Sequence, residues 1–178
     1  PLIPLSGLLP LDAGVATTGF KPDLRYVLNA VTPSRMLLSR LGVYESTNRG
    51  DAIVPVETLP VAGTPVVTAL AYGGTNPNGT PNANVAYVAR GATLTLRATA
   101  GGVFVAGPAL PADADNIRDI VLDPTNFRTA FLVTDANRVF RLNNVGLAGQ
   151  SVTELTGSLA AIGAQRLQTI EVFRSAAG

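Results

Sequence analysis

The sequence contains no cysteine and no histidine, and it has a single methionine. Without thiols there is no disulfide framework, no thiolate nucleophile and no zinc–thiolate site. Without imidazole the commonest metal ligand and the commonest general base are both missing, so any chemistry falls to Asp, Glu, Lys, Tyr or a bound group. Charge is scarce as well. Charged residues make up 14% of the chain, against roughly 25% in an average soluble domain. The 13 basic and 12 acidic residues leave a formal charge of +1 with no long run of either sign. That balance gives no electrostatic footprint for nucleic acid or an anionic membrane, and neither is expected as a partner. No apolar run approaches the roughly twenty residues of a membrane-spanning helix, because Pro, Gly, Asn or a charge interrupts each one. No cofactor, metal site or catalytic residue is predicted.

What the chain has is short-strand material. Its 178 residues are 47% hydrophobic, with 18 glycines and 13 prolines. The length suffices for one domain with a sizeable core, and the mixture favours many short strands joined by tight turns over long helices. The chain opens at Pro1 without Met, and residues 1–11 carry three prolines and no basic segment. That opening does not read as a signal peptide and suggests a processed or cropped chain.

Self-similarity organises the sequence. Ile3-Pro-Leu-Ser-Gly-Leu-Leu-Pro10 is followed by Val54-Pro-Val-Glu-Thr-Leu-Pro60, Val105-Ala-Gly-Pro-Ala-Leu-Pro111 and Val152-Thr-Glu-Leu-Thr-Gly-Ser-Leu159. Their leucines Leu9, Leu59, Leu110 and Leu159 recur about every fifty residues, the size of a four-stranded blade. A second family comprises Val67-Thr-Ala-Leu-Ala-Tyr72, Ile117-Arg-Asp-Ile-Val-Leu122 and Leu167-Gln-Thr-Ile-Glu-Val172, with Tyr26-Val-Leu-Asn-Ala-Val31 as an earlier copy. A third is a strand, a turn and a strand, in which Val43/Tyr44, Val103/Phe104 and Val139/Phe140 are expected to mark one strand. Three registers keep the same order, which one chance match would not do.

A thin four-stranded meander cannot bury either face alone, so such units stack around an axis. The predicted fold is therefore all-β: a single β-propeller segment over 1–178, with about three complete blades at 24–62, 65–112 and 115–160. Residues 1–12 are expected to be the fourth strand of a preceding blade, and 165–174 the first strand of a further one. About four blades are the minimum for a closed ring. The expected partners are thus the remaining blades of a longer chain, or another chain that completes the ring.

The stretch Ser46-Thr-Asn-Arg-Gly-Asp-Ala-Ile53 resembles the Asp-box of BNR-repeat propellers, whose pattern is Ser-x-Asp-x-Gly-x-Thr-aromatic. Ser46 and Gly50 match, while Asn48, Ala52 and Ile53 stand for the Asp, the Thr and the aromatic. Leu142-Asn-Asn-Val-Gly146 keeps Asn144 and Gly146, and Asp123-Pro-Thr-Asn-Phe-Arg-Thr-Ala-Phe131 is similar to the Asp-Pro-x-Asn then small-aromatic opening of strand two in such repeats. The resemblance implies a six- to eight-bladed ring of the kind found in sialidases, xyloglucanases, sortilin-like receptors and photosystem-assembly factors. It implies a structural role for the box, a hairpin turn whose Asp caps backbone amides and whose Gly takes a left-handed conformation. Fold likeness transfers no activity.

The remaining candidates are few. Arg49-Gly50-Asp51 is read as part of the turn, with its charges in water. Asp113, Asp115 and Asp119 fit no calcium-loop spacing and read as a solvated turn. The neutral loop Gly73–Asn84 is a possible ligand loop through Thr75, Asn76, Asn78, Asn82 and Asn84, whose amides and hydroxyls could bind sugar; the competing reading is a hairpin loop. Asn78-Gly-Thr80 is a formal glycosylation acceptor. Gly91-Ala-Thr-Leu-Thr-Leu-Arg97 reads as an extra strand or hairpin tip. The first function expected is a non-catalytic binding or scaffold propeller, bacterial and extracellular or periplasmic, recognising a protein or a polysaccharide. The alternative is a polysaccharide-active glycoside hydrolase or sialidase-like enzyme whose acids lie partly outside this segment. It lacks a recognisable carboxylate pair, and Arg25, Arg35, Arg40 and Arg90 are scattered.

Overall fold

The computed structural model describes residues 24–39, 42–57, 64–163 and 165–173. They form twelve strands in three four-stranded antiparallel sheets, each a meander in chain order. The first sheet is β1 (Arg25–Leu28), β2 (Met36–Ser39), β3 (Val43–Ser46) and β4 (Val54–Pro55). The second is β5 (Val67–Thr75), β6 (Pro81–Arg90), β7 (Thr93–Arg97) and β8 (Val105–Ala106). The third is β9 (Ile117–Asp123), β10 (Asn126–Thr134), β11 (Val139–Asn143) and β12 (Ser151–Glu154). No sheet among the described residues closes on itself, and the three are blades of a larger propeller-like ring. The segment expected as a fourth strand ahead of the first blade lies outside the described residues.

The middle sheet shows why blades must stack. Its side chains alternate with the period of two that a pleated strand imposes. Val85, Tyr87 and Ala89 of β6 join Ala69 and Ala71 of β5 in a core shared with Ile117, Ile120, Ala130, Leu132 and Phe140 of the third sheet. Ala86 and Val88 turn the other way, with Tyr72, to pack against Leu37 and Val43 of the first sheet. Val67 faces the first sheet although Ala69, two residues on, faces the third. A register shift between them, a β-bulge, reverses the parity.

The first strands of the blades lie side by side, β5 against β1 and β9. Gly73 and Gly74 at the end of β5 permit this approach. A Cβ on Gly73 (φ +76°) would sit 2.4 Å from Asn29 Oδ1, and one on Gly74 would sit 2.8 Å from Phe127 Cβ. Backbone bonds stitch the neighbours: Ala30 N donates to Tyr72 O and Ile117 N to Gly91 O, each at 2.9 Å.

Two sequence expectations change here. Val43/Tyr44 and Val139/Phe140 do mark third strands, but Val103/Phe104 does not. In the second blade that slot is filled by Thr93–Arg97, the supposed extra strand, because Leu94 and Leu96 alternate into the core while Val103 is 79% exposed. The polar stretch 73–84 is also mostly strand rather than loop. Gly74 pairs with Asn82 and Thr75 with Pro81, leaving only 76–80 as the turn.

Residues 165–173 form no ladder among the described residues. They nonetheless keep the repeat spacing. Asp119 Oδ2 accepts from Thr169 Oγ1 at 2.7 Å and from Ile170 N at 3.0 Å, residues fifty and fifty-one positions later.

Candidate functional site

Between the outer strands of the first two sheets lies a cleft of about 750 Å3, lined by Glu45, Glu57, Arg90, Thr93, Thr95, Arg97 and Phe104 among others. The strand period builds it. In β7, Leu94 and Leu96 go to the third sheet, so Thr93, Thr95 and Arg97 face the first. In β3, Val43 packs toward the second sheet and Tyr44 away from it, which returns Glu45 to the same side as Val43.

Glu45 is the hub of the cleft's inner wall. Its Oε1 accepts from Arg35 Nη2 at 2.9 Å, from Arg97 Nη2 at 2.7 Å and from the Tyr72 hydroxyl. Arg35 in turn donates through Nε to the Tyr72 hydroxyl at 2.8 Å and through Nη1 to Asn84 Oδ1 at 3.0 Å. Arg97, only 2% exposed, also donates through Nε to Asn84 O at 3.3 Å. Five residues from β3, β5, β6, β7 and the approach to β2 thus form one closed polar network across the first seam.

The electrostatics follow from that network. Burial raises the Glu45 carboxyl pKa, but the bonds from Arg97, Tyr72 and Arg35 outweigh it and hold the group below its usual value. Burial and the Glu45 carboxylate together push the Tyr72 phenol up to about 12. Across the cleft Glu57 pairs with Arg90, yet desolvation outweighs that pairing and raises its pKa. The two carboxyls therefore diverge in opposite directions within one cleft.

The residues singled out in the sequence lie elsewhere. In the first turn Ser46 Oγ accepts from Gly50 N at 2.8 Å, and Asn48 Oδ1 accepts from Ala52 N at 2.9 Å and from Ser46 Oγ at 3.0 Å. Gly50 takes φ +92° and Arg49 φ +64°. At the third blade's corresponding turn Asn144 (φ +53°) and Gly146 (φ +75°) are both left-handed, and Gly146 N donates to Gln150 Oε1 at 3.1 Å. In the polar hairpin Asn76 Nδ2 donates to Thr80 Oγ1 at 2.8 Å, and Asn78 Oδ1 accepts from Thr80 N at 3.1 Å. Asn82 Nδ2 reaches Asn76 Oδ1 and Ala98 O, its Oδ1 accepts from Asn84 N, and Thr75 closes the ladder. Most of these amides serve the hairpin itself. Asp113 pairs with Arg138 and Asp119 holds Thr169, so the acidic residues of that region are not convergent. No group of three or more metal-ligating side chains occurs among the described residues.

Sequence reasoning named Arg35 only as one of a scattered set and missed Glu45, Tyr72 and Arg97 as a unit. The alternation Thr93-Leu-Thr-Leu-Arg97 carried the signal, since it places an arginine on a strand face between two sheets.

No family model matches the chain, and no curated protein matches it in sequence. Solved structures do resemble it. YCF48 from Cyanidioschyzon merolae matches 79% of this chain and 41% of its own, with 13% identity and a TM-score of 0.51. The Niastella koreensis GH74 enzyme matches 72% of this chain and 17% of its own, with 14% identity and a TM-score of 0.49. An ancestral GH74 enzyme matches 66% of this chain and 16% of its own, with 16% identity and a TM-score of 0.49. The likeness is one of fold alone. The chain spans 16% to 41% of the length of these structures.

Proposed function

We propose that this chain is a non-catalytic binding or scaffold propeller that recognises a protein or polysaccharide in the cleft between its first two blades. The observation that carries this reading is the state of Glu45. Three donors hold its Oε1 and keep it ionised, so it cannot serve as a general acid. Glu57, the carboxyl with the raised pKa, is itself occupied by Arg90. A glycoside hydrolase needs one protonated carboxyl free to meet the leaving group. The cleft offers surface and fixed donors instead, which suits recognition. Screening the purified chain against polysaccharides and extracellular proteins by titration calorimetry tests this. Saturable binding without turnover supports it, and release of reducing ends from any bound glycan would overturn it.

Two further elements belong to the proposal. The 46–53 turn is a degenerate Asp-box, in which Asn48 performs the capping of an Asp. The third sheet, with residues 167–170 already set along β9 at the repeat spacing, receives further blades from a longer chain or a second chain. The neutral Asn/Thr/Gly-rich hairpin supports an extracellular or periplasmic setting.

A further inference from the structure

The cleft has an unspent cationic donor. Arg97 commits Nε to Asn84 O and Nη2 to Glu45, while its Nη1 has no hydrogen-bond partner among the described residues. That matters because the side chain is 98% buried and lines the cleft. Nη1 is not one of the buried side-chain atoms left without a partner, so it reaches the solvent of the cleft and is open to an incoming acceptor. The charge count points the same way, since Arg35 and Arg97 share one carboxylate and the network keeps one positive charge in excess. Beside it the half-buried Phe104 ring lies 5.9 Å from the Arg97 guanidinium carbon and presents an apolar face. The wall also carries the Glu57–Arg90 ion pair, whose charges offset each other, and the uncharged Thr93, Thr95, Gly101 and Gly102.

We propose that this cleft binds a carboxylate-bearing sugar, a uronate unit of a polysaccharide, with Arg97 Nη1 donating to the carboxylate and Phe104 under the pyranose. This rests on the binding function proposed above and names its ligand. A monoanion fits one free guanidinium nitrogen. A phosphate dianion would face Glu45 and Glu57 with too few donors to offset them. An acidic peptide is the weaker fit, because extended peptides dock by adding to a sheet edge. The edges here are β4 and β8, two residues each, one of them ending in Pro55.

A matched pair of ligands tests the assignment. Trigalacturonate and galactotriose of the same linkage differ in carboxylate against hydroxymethyl, and a glutamate trimer supplies the charge without the sugar. Calorimetry on the full chain should show trigalacturonate binding about tenfold or more tighter than galactotriose, with the preference shrinking as salt rises. Arg97→Lys, which keeps a charge for Glu45 but removes Nη1, should abolish the preference. Phe104→Ala should weaken both sugars while retaining it, and decides the matter if Arg97→Lys fails to fold. Equal binding of the two sugars would overturn the carboxylate assignment and leave the broader binding reading standing. Preference for the glutamate trimer would overturn the sugar. Unchanged affinity in Phe104→Ala, or no binding of any of the three, would overturn the site.

Discussion

The two seams of this molecule solve one packing problem with different chemistry. Between the second and third blades the contact is apolar, built from Tyr87, Leu94, Leu96, Ile117, Leu132 and Phe140, all almost fully buried. The Tyr87 hydroxyl reaches across it and donates to Phe127 O at 2.7 Å. Between the first and second blades a smaller apolar cluster stops short, and Arg35, Glu45, Tyr72, Asn84 and Arg97 complete the contact. Burial is non-directional and fills space, so the interior of the second seam is packed and open space is left at its ends, as between Asn76, Asn82, Phe127 and Arg128. Hydrogen bonds fix distances and leave room beside them, so the first seam carries the cleft. A propeller can thus open a cleft beside one seam by exchanging packing for geometry there.

The comparison breaks most visibly at Phe140. Its ring is fully buried in the apolar seam, and Phe140→Ala should cost about 3–5 kcal/mol, measured by urea denaturation, with little dependence on salt. Glu45→Gln should come next, at about 3 kcal/mol, because it strands two guanidiniums around a neutral amide. The seams then part on rescue. Adding Arg35→Met and Arg97→Met to Glu45→Leu should recover much of the loss, as an apolar replacement of the whole triad leaves no unpaired charge. No second substitution should recover Phe140→Ala in this way. If Glu45→Gln proves neutral, the polar seam is ornamental and the contrast collapses.

The apolar seam was the legible one. Its residues sit at the fifty-residue repeat and alternate with period two, so Ile120, Leu132 and Phe140 follow from pattern alone. The polar seam was not, since it joins side chains from different blades, as far apart as Glu45 and Arg97, and no local spacing encodes their meeting. Val103/Phe104 misled for a related reason. It copies the Val-aromatic pairs of β3 and β11 in composition, but the turn after Arg90 is tight enough for Thr93–Arg97 to return first and take the third slot. Nor did the polar run 73–84 read as strand, because its asparagines satisfy one another across the ladder as apolar residues would not need to.

Acid sharpens the contrast further, with a smaller effect. Glu45 has a folded pKa below its reference value of 4.5, so its stabilisation is present above that pH and is lost as pH falls through the folded value. Glu154, drawn down to about 2 by Arg138 and then by Thr156, acts in the same direction. Glu57, raised by burial, acts in the opposite one and favours folding once protonated. Wild-type stability should therefore fall more steeply between pH 5 and pH 2.5 than that of Glu45→Gln, which keeps the other two groups. Chemical denaturation across that range measures it, and parallel profiles would mean Glu45 does not feel the three donors that surround it.

The smallest effect separates a hairpin turn from both seams. Asn48 Oδ1 is only an acceptor in its contacts, from Ala52 N and Ser46 Oγ, and its Nδ2 donates to nothing among the described residues. A carboxylate accepts the same two bonds more strongly and loses no donor by the exchange. Asn48→Asp should therefore stabilise by about 0.5 kcal/mol and Asn48→Ala should destabilise by about 1 kcal/mol, with neither changing the cleft. Thermal melts of the two variants against wild type rank them. If Asp is the worse of the two, the turn holds through Gly50 and Ser46 alone, and Asn48 is not standing in for an Asp-box aspartate.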